Sequence, residues 1–293
     1  MINLIGKIYK GVYRRFKGYL QHLVIYLFDK SSLKVFWWDE SHNFGDALNP
    51  LLINMLSGKK VSIIDPIFYR HENYLVIGSI LAAANKYSVI WGAGFIREES
   101  KCKEKPLKVC AVRGPLTRQK LLNSGINCPE VYGDPALLLP LIYAPKIKKQ
   151  FKLGIIPHIH DKSAEWLQKV KKVNIKVIDI QNPDPMKFID ELLSCEQIAS
   201  SSLHGLIVAD AYKIPSIWLE FSDKVEGKGF KFRDYFLSVN RSDTKPLVVN
   251  HQTTLNDILN KFVSYEINID LLKLLDSCPF ELSNNFKDSL GIV

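Results

Sequence analysis

Three absences narrow the reading before any motif is considered. The 293-residue chain has five cysteines, Cys102, Cys110, Cys128, Cys195 and Cys278, and no Cys-x-x-Cys pair. An odd, scattered set argues against a disulfide framework or a zinc site and fits a reducing compartment. No apolar run approaches the ~20 residues needed to span a bilayer, and no stretch resembles a cleaved signal, so a cytoplasmic location is expected. There is no internal repeat or low-complexity bias. What is present, 47% hydrophobic and 24% charged residues, is ordinary for a soluble enzyme of two domains. The formal charge of +9, from 39 basic against 30 acidic residues, favours an anionic partner: a phosphorylated small molecule, a membrane surface or a nucleic acid. No nucleic-acid motif accompanies that charge, so nucleic acid is not expected.

Residues 1–30 interleave Lys7, Lys10, Arg14, Arg15 and Lys17 with Ile8, Tyr13, Phe16, Tyr19 and Leu20. That composition suits a helix lying in an anionic lipid interface, at the inner face of a membrane. It suits equally a helix packed on the body with a solvated basic face. From Leu33 onward, short apolar runs alternate with helical patterns. Val35 to Trp38, Val61 to Ile64, Tyr74 to Ile77, Val89 to Trp91 and Val109 to Val112 read as buried strands. Helices are expected from Asn49 to Leu56 and after Pro115, a residue suited to the first helical position. Residues 141–152 read as a linker. A second set follows, with strands over 153–156, 176–180, 197–200 and 216–219 and helices over 163–172, 185–193 and after Ser202. The expected fold is α/β, two Rossmann-like parallel-sheet domains facing a cleft, with units over 31–145 and 146–293.

In such sheets ligands sit beyond the carboxyl ends of strands, so residues there are the site candidates. His204 stands in the first turn of a helix after Ser200-Ser201-Ser202, where Ser201 or Ser202 can cap free amides. A helix mouth suits a phosphate or carboxylate, and a histidine there can add proton transfer; alternatively His204 only tops a buried helix. Arg113 closes a strand at another helix mouth, where its fork can grip an anion, with Arg118 one turn on. Gly92 and Gly94 end a strand without the third glycine of a dinucleotide fingerprint. His158 and His160 alternate on one side of a strand end; with no third ligand visible, no metal is expected, and contact with an anion is the better use. Asp134 reads as a turn residue. Asp46 either orients an acceptor hydroxyl or caps a helix beginning near Leu48.

Asn43-Phe44-Gly45-Asp46-Ala47-Leu48-Asn49-Pro50, Trp91-Gly92-Ala93-Gly94-Phe95, Val112-Arg113-Gly114-Pro115, Gly133-Asp134-Pro135-Ala136 and Ser202-Leu203-His204-Gly205 occur in register. Over about Phe36 to Leu219 the chain thereby resembles the polysaccharide pyruvyltransferases. The segment from Lys228 to Tyr235, which contains Lys231, resembles a basic aromatic stretch of related members. The resemblance implies a glycosyltransferase-B-like domain pair, with the first unit on the acceptor side and the second on the donor side. It implies phosphoenolpyruvate as donor substrate, no separate cofactor, and a pyruvate ketal placed on a bacterial surface glycan or its lipid-linked precursor. On that footing His204 is the general acid and Asp46 the acceptor-side base. Arg113, Arg118, Lys231, His158, His160, Ser202, Gly92, Gly94 and Asn43 hold substrate. A sugar-nucleotide-dependent glycosyltransferase is the alternative for the same architecture. One tension stands: a helix N-terminus disfavours the imidazolium that a general acid requires.

Overall fold

The computed structural model describes residues 16, 18–39, 42–170, 174–242 and 245–291. Residues 1–15 and Lys17, the basic part of the first segment, lie outside the described residues; residues 18–28 form a helix. Among the described residues no helix is long and apolar enough to cross a membrane.

Among the described residues ten strands form two five-stranded sheets, parallel throughout. In the first, β1 (Leu33–Phe36), β2 (Val61–Ile63), β3 (Asn73–Leu75), β4 (Ser88–Trp91) and β5 (Lys108–Ala111) run in the order β2-β1-β3-β4-β5. In the second, β6 (Phe151–Ile156), β7 (Ile175–Val177), β8 (Cys195–Ser200), β9 (Ser216–Glu220) and β10 (Leu247–Val248) run β10-β9-β8-β6-β7. Counted within each sheet, both follow the doubly wound order 2-1-3-4-5. The expected α/β class and paired parallel sheets are therefore present. In each sheet the chain winds first to one side of the opening strand and then to the other. The switch points fall between β1 and β3 and between β6 and β8, where crevices open at the carboxyl ends.

Helix α1 (Phe44–Ser57) begins five residues before the expected Asn49, because Asn43 caps it by accepting the Gly45 amide. Pro50 inside α1 has no amide to offer the Asp46 carbonyl, and Asn49 Nδ2 supplies a donor there at 3.2 Å. The same buried side chain clamps the end of β3: Nδ2 donates to the Ile77 carbonyl (3.1 Å) and Oδ1 accepts the Ile77 amide (3.0 Å). This clamp sets the turn into Gly78 and Ser79. The mouth of α1 also reaches the second unit, where Phe44 donates its amide to the Ile180 carbonyl and stacks on Phe188 of α3 (Pro185–Leu193) after α2 (Pro115–Asn123).

The units are fastened by a buried ion pair. Arg113 and Asp234 have fully buried side chains 3.0 Å apart. Asp234 lies on α5 (Phe230–Ser238), two elements after α4 (Leu203–Ala211), and also accepts the Thr117 amide and hydroxyl of α2. The final helices, Leu271–Asp276 and Asn284–Ser289, return to the first unit: Trp91 Nε1 donates to the Leu274 carbonyl, and Ser283 donates its amide to Leu56 at the end of α1.

Asn49→Ala leaves both Ile77 backbone groups buried and unpaired. It should lower stability by about 3 kcal/mol, read as a fall in the denaturant midpoint at constant m.

Candidate active site

A cleft of about 670 Å³ joins the two switch points. Phe36 and Trp38 reach it from the end of β1, Gly78 and Ser79 from β3, His158 and His160 from β6, and Ser202 and His204 from β8; Asn43, Asp46 and Lys231 complete the polar lining with Glu226. Seven of the residues selected from sequence thus meet on one surface: Asn43, Asp46, His158, His160, Ser202, His204 and Lys231.

Ser202 stands at the N-cap of α4 in an extended conformation, but its hydroxyl makes no capping bond. Among the described residues no side chain caps the first amides of α4, which preserves the anion-attracting end of the helix. His204 follows in the first turn, wedged between elements of the first unit. Its ring lies against Gly45 of α1, where a methyl group would overlap the imidazole. On its other edge Nε2 faces Asp134 Oδ2 at 3.5 Å. Asp134 is 1% exposed, and neither of these two atoms has a hydrogen-bond partner among the described residues. The turn role read for Asp134 is present too, since Oδ1 accepts the Ala136 amide at 3.0 Å. One carboxylate oxygen caps, and the other is left to the histidine.

Asp46 does not cap α1, because Asn43 does. Its Oδ1 accepts the Trp38 amide at 3.3 Å, and burial lifts its pKa to about 6 against the opposing pull of His204, that amide and Lys231. Lys231 is 8% exposed and makes no hydrogen bond or ion pair to another described residue. Burial first, then the Arg113 guanidinium, lowers its pKa to about 8, while Asp46 holds it up. His158 is fixed from two sides. Its amide donates to Ser201 Oγ (2.8 Å), whose hydroxyl donates to buried Asp161 (2.8 Å), and its Nδ1 accepts the His160 amide (3.3 Å). That last bond leaves the ring proton on Nε2. Burial, with Lys231 and His160 adding to it, depresses the His158 pKa to about 3, so it enters the cleft as a neutral donor.

Four selected residues lie outside the lining. Arg113 is engaged on every side: with Asp234, with Ser79 Oγ (2.8 Å) and with the Phe95 carbonyl (2.6 Å). It therefore stands one layer behind the surface and shapes it through Ser79. Gly94 makes room for that guanidinium, and Gly92 turns against Pro135. Arg118 donates to the Cys128 carbonyl. Conversely, Trp38, 51% exposed in the cleft, was not selected from sequence; an aromatic residue just past the opening strand of a switch point is the signal that marks it. Among the described residues no group of three or more His, Cys, Asp or Glu is gathered for a metal ion.

Fold and cleft together define an α/β protein with a polar cleft between two doubly wound units. The sequence profile of the polysaccharide pyruvyl transferase family matches residues 12–223, and the chain belongs to that family. It is thus a transferase of the pyruvyl class acting on glycans. It is 29% identical over 261 residues to the uncharacterized protein L143 of Acanthamoeba polyphaga mimivirus, covering 83% of this chain and 88% of that one. It is 28% identical over 210 residues to the succinoglycan biosynthesis protein ExoV of Rhizobium meliloti (strain 1021), covering 69% and 64%.

If Asp46 works ionised and Lys231 works charged, kcat/KM for pyruvyl transfer falls below about pH 6, as Asp46 gains a proton, and above about pH 8, as Lys231 loses one. Lys231→Met should abolish the alkaline limb; an unchanged limb in that variant would assign it to another group.

Proposed function

We propose that this protein transfers pyruvate from phosphoenolpyruvate to a sugar of a bacterial surface glycan or its lipid-linked precursor, closing a ketal and releasing phosphate. The observation that carries this reading is the sealed contact between His204 Nε2 and Asp134 Oδ2 at the cleft wall. A carboxylate there stabilises imidazolium and offsets the opposing field of the helix mouth. With Nε2 turned to Asp134, Nδ1 is the nitrogen left to carry a proton to substrate.

The two units then divide the labour in a glycosyltransferase-B-like manner. The donor lies on the second unit's rim, where the uncapped end of α4, Lys231 and neutral His158 offer positive charge and hydrogen-bond donors to its phosphate and carboxylate. His160 and Ser202 stand beside them. The acceptor lies on the first unit's rim, between Asp46, Asn43 and the ring of Trp38. His204 protonates the methylene carbon, and the adjoining carbon becomes an oxocarbenium centre. One sugar hydroxyl adds there and passes its proton to Asp46. The bond to phosphate breaks, and a second hydroxyl closes the ketal. Two hydroxyl protons enter the balance: one replaces that delivered to the new methyl group, and the other leaves on hydrogen phosphate. Asp46, with its pKa raised to about 6, is suited to accepting and releasing that proton near neutrality.

Mass spectrometry of lipid-linked oligosaccharides incubated with phosphoenolpyruvate should show pyruvate addition matched by phosphate release. His204→Ala should slow turnover by about two to four orders of magnitude and Asp134→Asn by about a hundredfold, both keeping donor affinity within about tenfold. Near-normal turnover in His204→Ala would remove the general-acid role. Stabilisation of the fold by nucleotide sugars but not by phosphoenolpyruvate would overturn the donor assignment.

A further inference from the structure

The helix over residues 18–28 turns apolar side chains outward as well as toward the body. Toward the body, Tyr19 packs edge-on against Phe68, His22 Nε2 accepts the Asp65 amide at 2.7 Å, and Tyr26 stacks on His71. Away from the body, Phe16, Leu20, Leu23, Val24, Leu27 and Phe28 are exposed, Phe28 to 82%. Positions 16, 20, 23, 24 and 27 share one helical stripe. A helix resting on a water-soluble body turns charged and polar side chains outward, and this stripe holds none.

The charge lies immediately before the stripe. Lys7, Lys10, Arg14, Arg15 and Lys17 fall within the first 28 residues, which contain no Asp or Glu; the first acid is Asp29. An apolar stripe accompanied in sequence by five cations and no acid matches a surface that is anionic outside and apolar beneath, the headgroup boundary of a bilayer. A second copy of this chain is the poorer occupant, since it would bring five like charges against these five. The placement is also informative. Asp65 and Phe68 follow the carboxyl end of β2, so the start of the helix lies at the rim of the first sheet on which the cleft opens.

We propose that residues 1–28 dock this protein on an anionic lipid surface, with the helix lying in the interface and the acceptor side of the cleft beside it. Flotation of the full chain with vesicles of phosphatidylcholine, alone or mixed with phosphatidylglycerol, tests this. Binding is expected to the mixed vesicles and to weaken as salt is raised. Leu23→Glu combined with Leu27→Glu should lower partitioning by about tenfold or more without moving the melting temperature, because both side chains are exposed. Replacing Lys10, Arg14 and Arg15 with Gln should do the same. Absence of flotation, flotation that survives both variants, or a concentration-dependent dimer dissolved by the Leu23→Glu, Leu27→Glu pair would overturn the proposal, the last in favour of a second copy. No donor or acceptor enters the assay, so it succeeds or fails independently of the transfer reading.

Discussion

Everything in the cleft is arranged around one imidazole wedged where the two units meet. His204 belongs to the second unit by sequence, yet its ring is bounded by Gly45 and Asp134 of the first. The contact works in two directions. It closes the units on each other, because α4 cannot enter unless position 45 lacks a side chain. It also gives the histidine a buried carboxylate that no residue of its own unit provides. The end of α4 and the Asp134 carboxylate present opposite fields to the ring, and an anionic ligand in the cleft would add to the second.

The remaining polar groups make that balance responsive to ligand. The Arg113–Asp234 pair is fully buried and holds α5 against the first unit. Removing either partner from such a pair costs far more than the pair contributes, so it serves chiefly to fix geometry. What it fixes is the neighbourhood of Lys231, which lines the cleft, makes no hydrogen bond to another described residue, and has its pKa lowered by burial first and then by Arg113. An anionic donor would relieve that desolvation. The cleft thus presents hydrogen-bond donors and positive charge that the phosphate and carboxylate of the proposed donor, phosphoenolpyruvate, would meet.

Much of this was legible in the residues. Alternating apolar runs and helix signals mark the two parallel sheets, and six of the seven residues that share the cleft are polar residues after strand ends, Lys231 being marked by the basic aromatic stretch instead. The misplacements have physical causes. Arg113 was read as a ligand because an arginine at a helix mouth can grip an anion, but its anion is Asp234, 121 positions away and invisible to local pattern. Helix α1 starts earlier than apolar periodicity indicates because Asn43 caps it through the Gly45 amide, a contact that periodicity does not register. Asp134 fits a turn residue by local pattern, and its first oxygen does cap Ala136; its second oxygen meets His204, 70 positions away. Long-range pairing of polar atoms, rather than periodicity, decides these cases.

The central claim is that Asp134 and the bound donor together put the proton on His204. The direct measurement is an NMR titration of the His204 imidazole in the wild type and in Asp134→Asn, each with and without phosphoenolpyruvate. The account predicts a pKa that rises when the donor binds and falls when Asp134 loses its charge. The same pKa in all four samples would contradict it.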